Sequence, residues 1–115
     1  MSSTRYTELW GAGREDSVRI LLSRIIDRAR RNYGSDAVTL YSENRMTIAL
    51  NNVWLNFDCK PDQFRISPPL EHTDIDANQW NQALAKFHQD IVEPIKDNIG
   101  GVATGIGFMQ SESDQ

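Results

Sequence analysis

The sequence predicts an α+β fold, a two-layer sandwich in which a four-stranded antiparallel meander carries two amphipathic helices on one face, in the order helix-strand-strand-strand-strand-helix. Three observations lead there. Residues 36–67 alternate apolar and polar side chains with period two, as half-buried strands do. On either side of that stretch apolar residues recur at helical spacing. Short turn-forming segments cut the period-two stretch, so that successive strands return antiparallel.

At the start of the chain, residues 3–10 read as a short helix with Tyr6, Leu9 and Trp10 on one side, ended by a Gly11-Ala12-Gly13 linker. A long helix is expected from Arg14 or Asp16 to Tyr33, with Glu15 and Asp16 near its positive end and Gly34 as the residue after its last turn. Val18, Leu21, Leu22, Ile25, Ile26, Ala29 and Tyr33 form a stripe wide enough to dock on a sheet, and Ile20 alone points away. The outer face carries Arg19, Arg24, Arg28, Arg30 and Arg31 against Asp27, the most basic surface in the chain. Arginines are good helix formers and favour the negative end of the helix dipole, so the run has a structural explanation beside a binding one.

The strands follow. Residues 37–42 supply Val38 and Leu40 as an apolar pair, and a loop of Glu43, Asn44 and Arg45 is expected to set Leu40 against Ile48. Met46, Ile48 and Leu50 alternate, as do Val53, Leu55, Phe57 and Cys59. Asn51-Asn52 between them suits a type I′ turn, because Asn tolerates positive φ, and this turn pairs Leu50 with Val53, Ile48 with Leu55 and Met46 with Phe57. After the Lys60-Pro61-Asp62-Gln63 loop, residues 64–67 place Phe64 against Cys59 and Ile66 against Phe57, and Pro68-Pro69 ends the pairing. Thr39, Tyr41, Thr47, Ala49, Trp54, Asn56, Asp58 and Arg65 fall on the opposite face, with Asp58 between Arg45 and Arg65 across the strands.

Residues 70–75 form a connector, and Asp76 with Gln79 is expected to cap a second helix through its side chain. Trp80, Leu84, Phe87, Ile91, Ile95 and Ile99 share one side of that helix, beside Ala83. Pro94 removes one backbone hydrogen bond and crowds the carbonyl of Asp90, so a kink is expected near Val92. Gly100-Gly101 ends the helix. Residues 102–109 then read as an edge strand or an ordered arm, one that covers the second sheet face beside Trp54 or pairs with another copy of the chain.

A chain of 115 residues suits one domain. It divides into an N-terminal segment and linker (1–13), a core (14–101) and a C-terminal arm with a polar tail (102–115). The single cysteine, Cys59, has no disulfide partner within the chain and falls on an inward face, as a small buried hydrophobe would. A polar start with no apolar run after it predicts neither a signal peptide nor a membrane span, and places the chain in the cytoplasm. The formal net charge of -4 weighs against nucleic acid and against anionic membranes as partners.

Chemical motifs are sparse. His72, Asp74 and Asp76 alternate in the connector and form the only local run with metal-ligand character, but no second cluster completes a coordination sphere, since His88 stands alone on a helix. Cys59 has no histidine near it in sequence to activate it. The Asp58-Cys59-Lys60 triplet lacks the further acidic pattern of a nuclease centre. The glycines of residues 100–107 follow a helix, whereas a phosphate loop precedes one. No cofactor, metal ligand or catalytic residue is assigned.

The leading expectation is therefore a non-catalytic cytosolic module that binds another protein, as an inhibitor, immunity-type factor, chaperone or adaptor, with a second copy of the chain among the candidate partners. Its contact residues are expected on the sheet face, Tyr41, Trp54, Asn56 and Arg65, or on the basic helix, Arg24, Arg28 and Arg31, because Trp, Tyr and Arg dominate interface energetics. One alternative is a single-stranded nucleic-acid binder in which Tyr41 and Trp54 stack on bases while Arg45 and Arg65 meet phosphates. Another is a small metal-dependent enzyme using the His72 loop. If Trp54 lies beside Ala49 on the second face, the chain's own termini are expected to cover its ring.

Overall fold

The computed structural model describes residues 5–69 and 75–109. In chain order the elements are β1 (Thr7–Gly13), α1 (Glu15–Tyr33), a short 3-10 turn (Ser35–Ala37), β2 (Val38–Ser42), β3 (Arg45–Leu50), β4 (Val53–Lys60), β5 (Gln63–Ser67), α2 (Ala77–Phe87), a π-helical turn (His88–Val92), α3 (Glu93–Lys96) and β6 (Val102–Phe108). They build an α+β fold with one six-stranded antiparallel sheet, in the order β2-β3-β4-β5-β1-β6, and two helical segments on one of its faces. The sheet thus has two strands more than the four-stranded meander expected from sequence.

The extra strands come from the two ends of the chain. Residues 7–13 form no helix. They enter the sheet as β1, which pairs with β5 through Leu9 and Ile66 and with β6 through Leu9 and Ile106. Leu9 and Gly11 turn inward while Glu8, Trp10 and Ala12 turn outward, a period-two pattern hidden in sequence by the adjacent apolar pair Leu9-Trp10. Gly11 admits this strand because the Phe64 ring rests on its backbone, where a Cβ would lie inside the ring's van der Waals envelope. β6 is the expected edge strand. It extends the sheet beside β1 rather than folding over the face that holds Trp54, and none of its residues is charged.

The central hairpins match the expected register. Leu50 faces Val53, Ile48 faces Leu55, Met46 faces Phe57, Cys59 faces Phe64, and Asp58 stands between Arg45 and Arg65. Asn51 takes a φ of 56 at the turn and is the only non-glycine residue with positive φ among those described, so the turn lacks the second positive φ of type I′. The β2–β3 pairing departs from expectation. Leu40 faces Met46 and Val38 faces Ile48, because Arg45 belongs to the strand and the register shifts between Leu40 and Ser42. Tyr41 is the extra residue of this bulge, and Leu40, at the edge, stays 58% exposed.

Helix α1 docks through Val18, Leu21, Ile25 and Ala29, all buried, and ends at Gly34, whose N–H returns to the carbonyl of Arg30. The second helical segment buries Trp80, Leu84, Phe87, Ile91 and Ile95 in the expected stripe. Asp76 occupies the cap position of α2 without the expected side-chain bond. The disturbance ahead of Pro94 is a π turn over His88–Val92, closed by the Glu93 N–H donating to the carbonyl of His88. Phe57 lies at the centre of the core, stacked with Phe64 and edge-on to Phe87, each at 6.3 Å between ring centroids.

If β1 depends on the bare backbone of Gly11, Gly11→Ala should cost about 1–3 kcal/mol through overpacking against Phe64. Gly107→Ala in β6, where a Cβ meets nothing within 4 Å, should be neutral or slightly stabilising. Urea unfolding of the two variants beside the parent measures both effects.

Candidate functional site

With both helical segments on one side, the second face of the sheet is built from the outward residues of all six strands, and its chemistry follows from the register. The central cross-strand row runs Arg45, Asp58, Arg65 and Trp10, from β3 through β4 and β5 to β1. The next row holds Thr39, Thr47, Asn56 and Ser67. Trp54 stands one step further along β4, opposite Ala49. Trp10 is 43% exposed, Trp54 40% and Tyr41 60%.

The polar groups of this face hold one another. The Arg45 Nε donates to Asn56 Oδ1 at 3.4 Å, and the Asn56 amide donates to Asp58 Oδ2 at 3.2 Å. Arg45 also places its guanidinium 5.7 Å from the centre of the Tyr41 ring. Arg65 pairs with Glu8 at 3.6 Å. Trp10 lies over the neighbouring edge strand, where a Cβ on Gly105 would come within 2.6 Å of its Cζ2. Beside this row, at the end of the β4–β5 hairpin, a hollow of about 570 Å³ opens among Trp10, Asp58, Lys60, Gln63 and Arg65. Thr47 is buried on the same face, and its hydroxyl is the one buried side-chain polar atom without a partner among the described residues.

Four residues expected at a contact surface, Tyr41, Trp54, Asn56 and Arg65, therefore share this face. Trp10 joins them, a residue that sequence reasoning assigned to a helix. Trp54 is part-exposed, and the described terminal strands β1 and β6 extend the far side of the sheet instead of lying over it, contrary to expectation. Arg24, Arg28 and Arg31 lie elsewhere, in the helix layer, where with Asp27 they line one wall of a groove of about 290 Å³ whose other wall is Pro94, Ile95 and Asn98.

A third cluster went unseen in the sequence. His88 was expected to be alone, yet its Nε2 lies 3.1 Å from Glu93 Oε2 and 3.0 Å from Thr104 Oγ1, with Lys96 Nζ 3.2 Å from the same carboxylate. The π turn brings His88 toward Glu93, and β6 delivers Thr104. Both oxygens meet one ring nitrogen. A Ser-His-Asp relay sets nucleophile and carboxylate on opposite nitrogens of the ring, a geometry this cluster lacks; its contacts tie β6 to the helical segment. Burial lowers the His88 pKa below its ordinary 6.5, outweighing the Glu93 carboxylate that raises it. The hydrogen bond from Lys96 holds the Glu93 carboxyl below the usual range.

Among the described residues no three His, Cys, Asp or Glu side chains converge as a metal site, and His72 and Asp74 lie outside them. No helix among them is long and apolar enough to cross a membrane. Cys59 faces inward beside Phe64 but is only half-buried. Burial, reinforced by the neighbouring Asp58 carboxylate, pushes its thiol up to about 11. Comparison with protein-family models, with curated proteins and with solved structures finds no match to this chain.

Two outcomes follow from these environments. At neutral pH the Cys59 thiolate is scarce, so labelling with an alkylating reagent should run roughly 100-fold slower than for an ordinary thiol and recover in denaturant. As pH falls through 6.5 the unfolded chain takes up the His88 proton before the folded chain does, so stability should fall with pH in that window. NMR titration of the His88 ring should give a pKa below 6.5, and His88→Gln should flatten the stability profile between about pH 7 and 5.5.

Proposed function

We propose that this chain is a non-catalytic cytoplasmic module that binds another protein through the open face of its sheet. The observation that carries the reading is the continuous row from Tyr41 and Arg45 through Asp58 and Arg65 to Trp10, flanked by Trp54 and by the hollow at Lys60 and Gln63. Exposed Trp and Tyr beside Arg are the side chains that anchor protein interfaces, and the hollow offers a seat for a partner's anchor residue. The same face suits nucleic acid less well. Glu8 pairs with Arg65, and Asn56 links Arg45 to Asp58, so the positive charges that would meet phosphates are already engaged by acidic or polar neighbours.

A photo-crosslinking residue placed at Tyr41, with a control at exposed Ile20 on the outer side of α1, tests the surface in native lysate. Tyr41 should yield a protein adduct that Ile20 does not, and Trp54→Ala should remove it, with a loss of roughly 2 kcal/mol or more in affinity and near-native stability. Adducts mainly to nucleic acid would support the stacking alternative instead. A stability loss of roughly 3–5 kcal/mol with adduct formation unchanged would assign Trp54 to the fold rather than to an interface.

A further inference from the structure

We propose that the groove between α1 and α3 is a separate binding site for a short acidic peptide segment of a partner protein, whose carboxylates pair with Arg24, Arg28 and Arg31. The site lies in the helix layer and stands apart from the open sheet face, so either surface is testable without the other.

Charge complementarity carries the choice of partner. Three guanidiniums line the groove against the single carboxylate of Asp27, in a chain whose formal net charge is -4. Among the described residues none of the three makes an ion pair, so their charges are not neutralised by a neighbouring carboxylate. Spacing agrees with an extended acidic segment. A helix rises about 1.5 Å per residue, so Arg24 and Arg28 lie about 6 Å apart along the axis, with Arg31 about 4.5 Å beyond. An extended chain advances about 6.6 Å over two residues, close to the first step and about 2 Å longer than the second, a difference that the long arginine stems span. Pro94 on the facing wall closes the groove on its other side.

The size of the groove separates this partner from longer polyanions. At about 290 Å³ it takes a few side chains, and a nucleic acid or an anionic membrane extending beyond α1 would meet a chain in which carboxylates outnumber cations overall. A short segment avoids that repulsion.

The test is a fluorescence-anisotropy titration of the full chain with labelled Glu-Ala-Glu-Ala-Glu, alongside Gln-Ala-Gln-Ala-Gln, a ten-nucleotide oligothymidine and phosphatidylserine vesicles. The glutamate peptide should bind and move the backbone amide resonances of Arg24, Arg28, Arg31 and Asn98. Arg24→Gln with Arg28→Gln should weaken it by about tenfold or more, as loss of charge-assisted pairs does, while Arg19→Gln with Arg30→Gln, off the groove on the same helix, should change it less than about twofold. Thermal melts should show both double variants folded. No binding, equal binding of the glutamine peptide, equal losses from both variant pairs, or tighter binding of the oligonucleotide or the vesicles would each overturn the proposal.

Discussion

Phe64 resting on the bare backbone of Gly11 is the contact on which the sheet depends. It lets a strand from the start of the chain lie flat against β5, and β6 has no neighbour in the sheet except that strand. The second helical segment then locks β1 from above. The buried indole of Trp80 donates to the carbonyl of Thr7 at 2.7 Å, and Asn81 accepts from both the backbone N–H and the hydroxyl of Thr7 at 2.8 Å while donating to the carbonyl of Arg5. These bonds satisfy backbone groups at the end of the strand that the sheet leaves unpaired, a requirement wherever polar backbone approaches a core. Leu9 can be fully buried only with β1 in this place.

That arrangement explains what was legible in the sequence and what was hidden. The three hairpin strands β3, β4 and β5 could be read because turn residues and period-two alternation are local and agree with one another. The long stripes of α1 and α2 are local too. β1 could not be read, because Gly11 and Gly13 look like a linker until Phe64, more than fifty positions later, is known to lie on the first of them. The bulge at Tyr41 escaped for a related reason, since nothing in the pattern of residues 38–45 distinguishes a loop of three from a turn of two with one strand residue displaced. At the candidate surface, Trp54, Asn56 and Arg65 followed from the hairpin register, and Trp10 was lost together with β1. His88 and Thr104 meet only because a π turn and an edge strand converge, a long-range fact with no sequence signature.

The two candidate surfaces differ in how their charge is held. On the sheet, arginines are interleaved with acids and an amide across neighbouring strands, which fixes side-chain direction and leaves little net field. On α1 the arginines crowd together without carboxylate partners among the described residues, which leaves a local positive field on an otherwise acidic chain. Aromatic area with fixed polar groups favours a partner of matching shape. An uncompensated field favours a partner of matching charge and depends on ionic strength. One small domain thus presents two chemistries on opposite layers.

The meeting of residues 5–6 with Met109 bears on the order in which the molecule assembles. Met109 donates its backbone N–H to Tyr6, and Arg5 reaches the carbonyl of Met109, 104 positions away. The β1–β6 ladder therefore closes the widest loop in the chain, whereas β3 and β4 need only a two-residue turn. Loop-closure entropy favours the hairpin first and defers the terminal ladder until the core has formed. Joining Met109 to Arg5 through a short peptide and opening the chain between Asn51 and Asn52 would exchange these roles while leaving every rung of the sheet in place. The rearranged chain would start from β1 and β6 and finish at β3 and β4, reaching the same native structure by the reverse route.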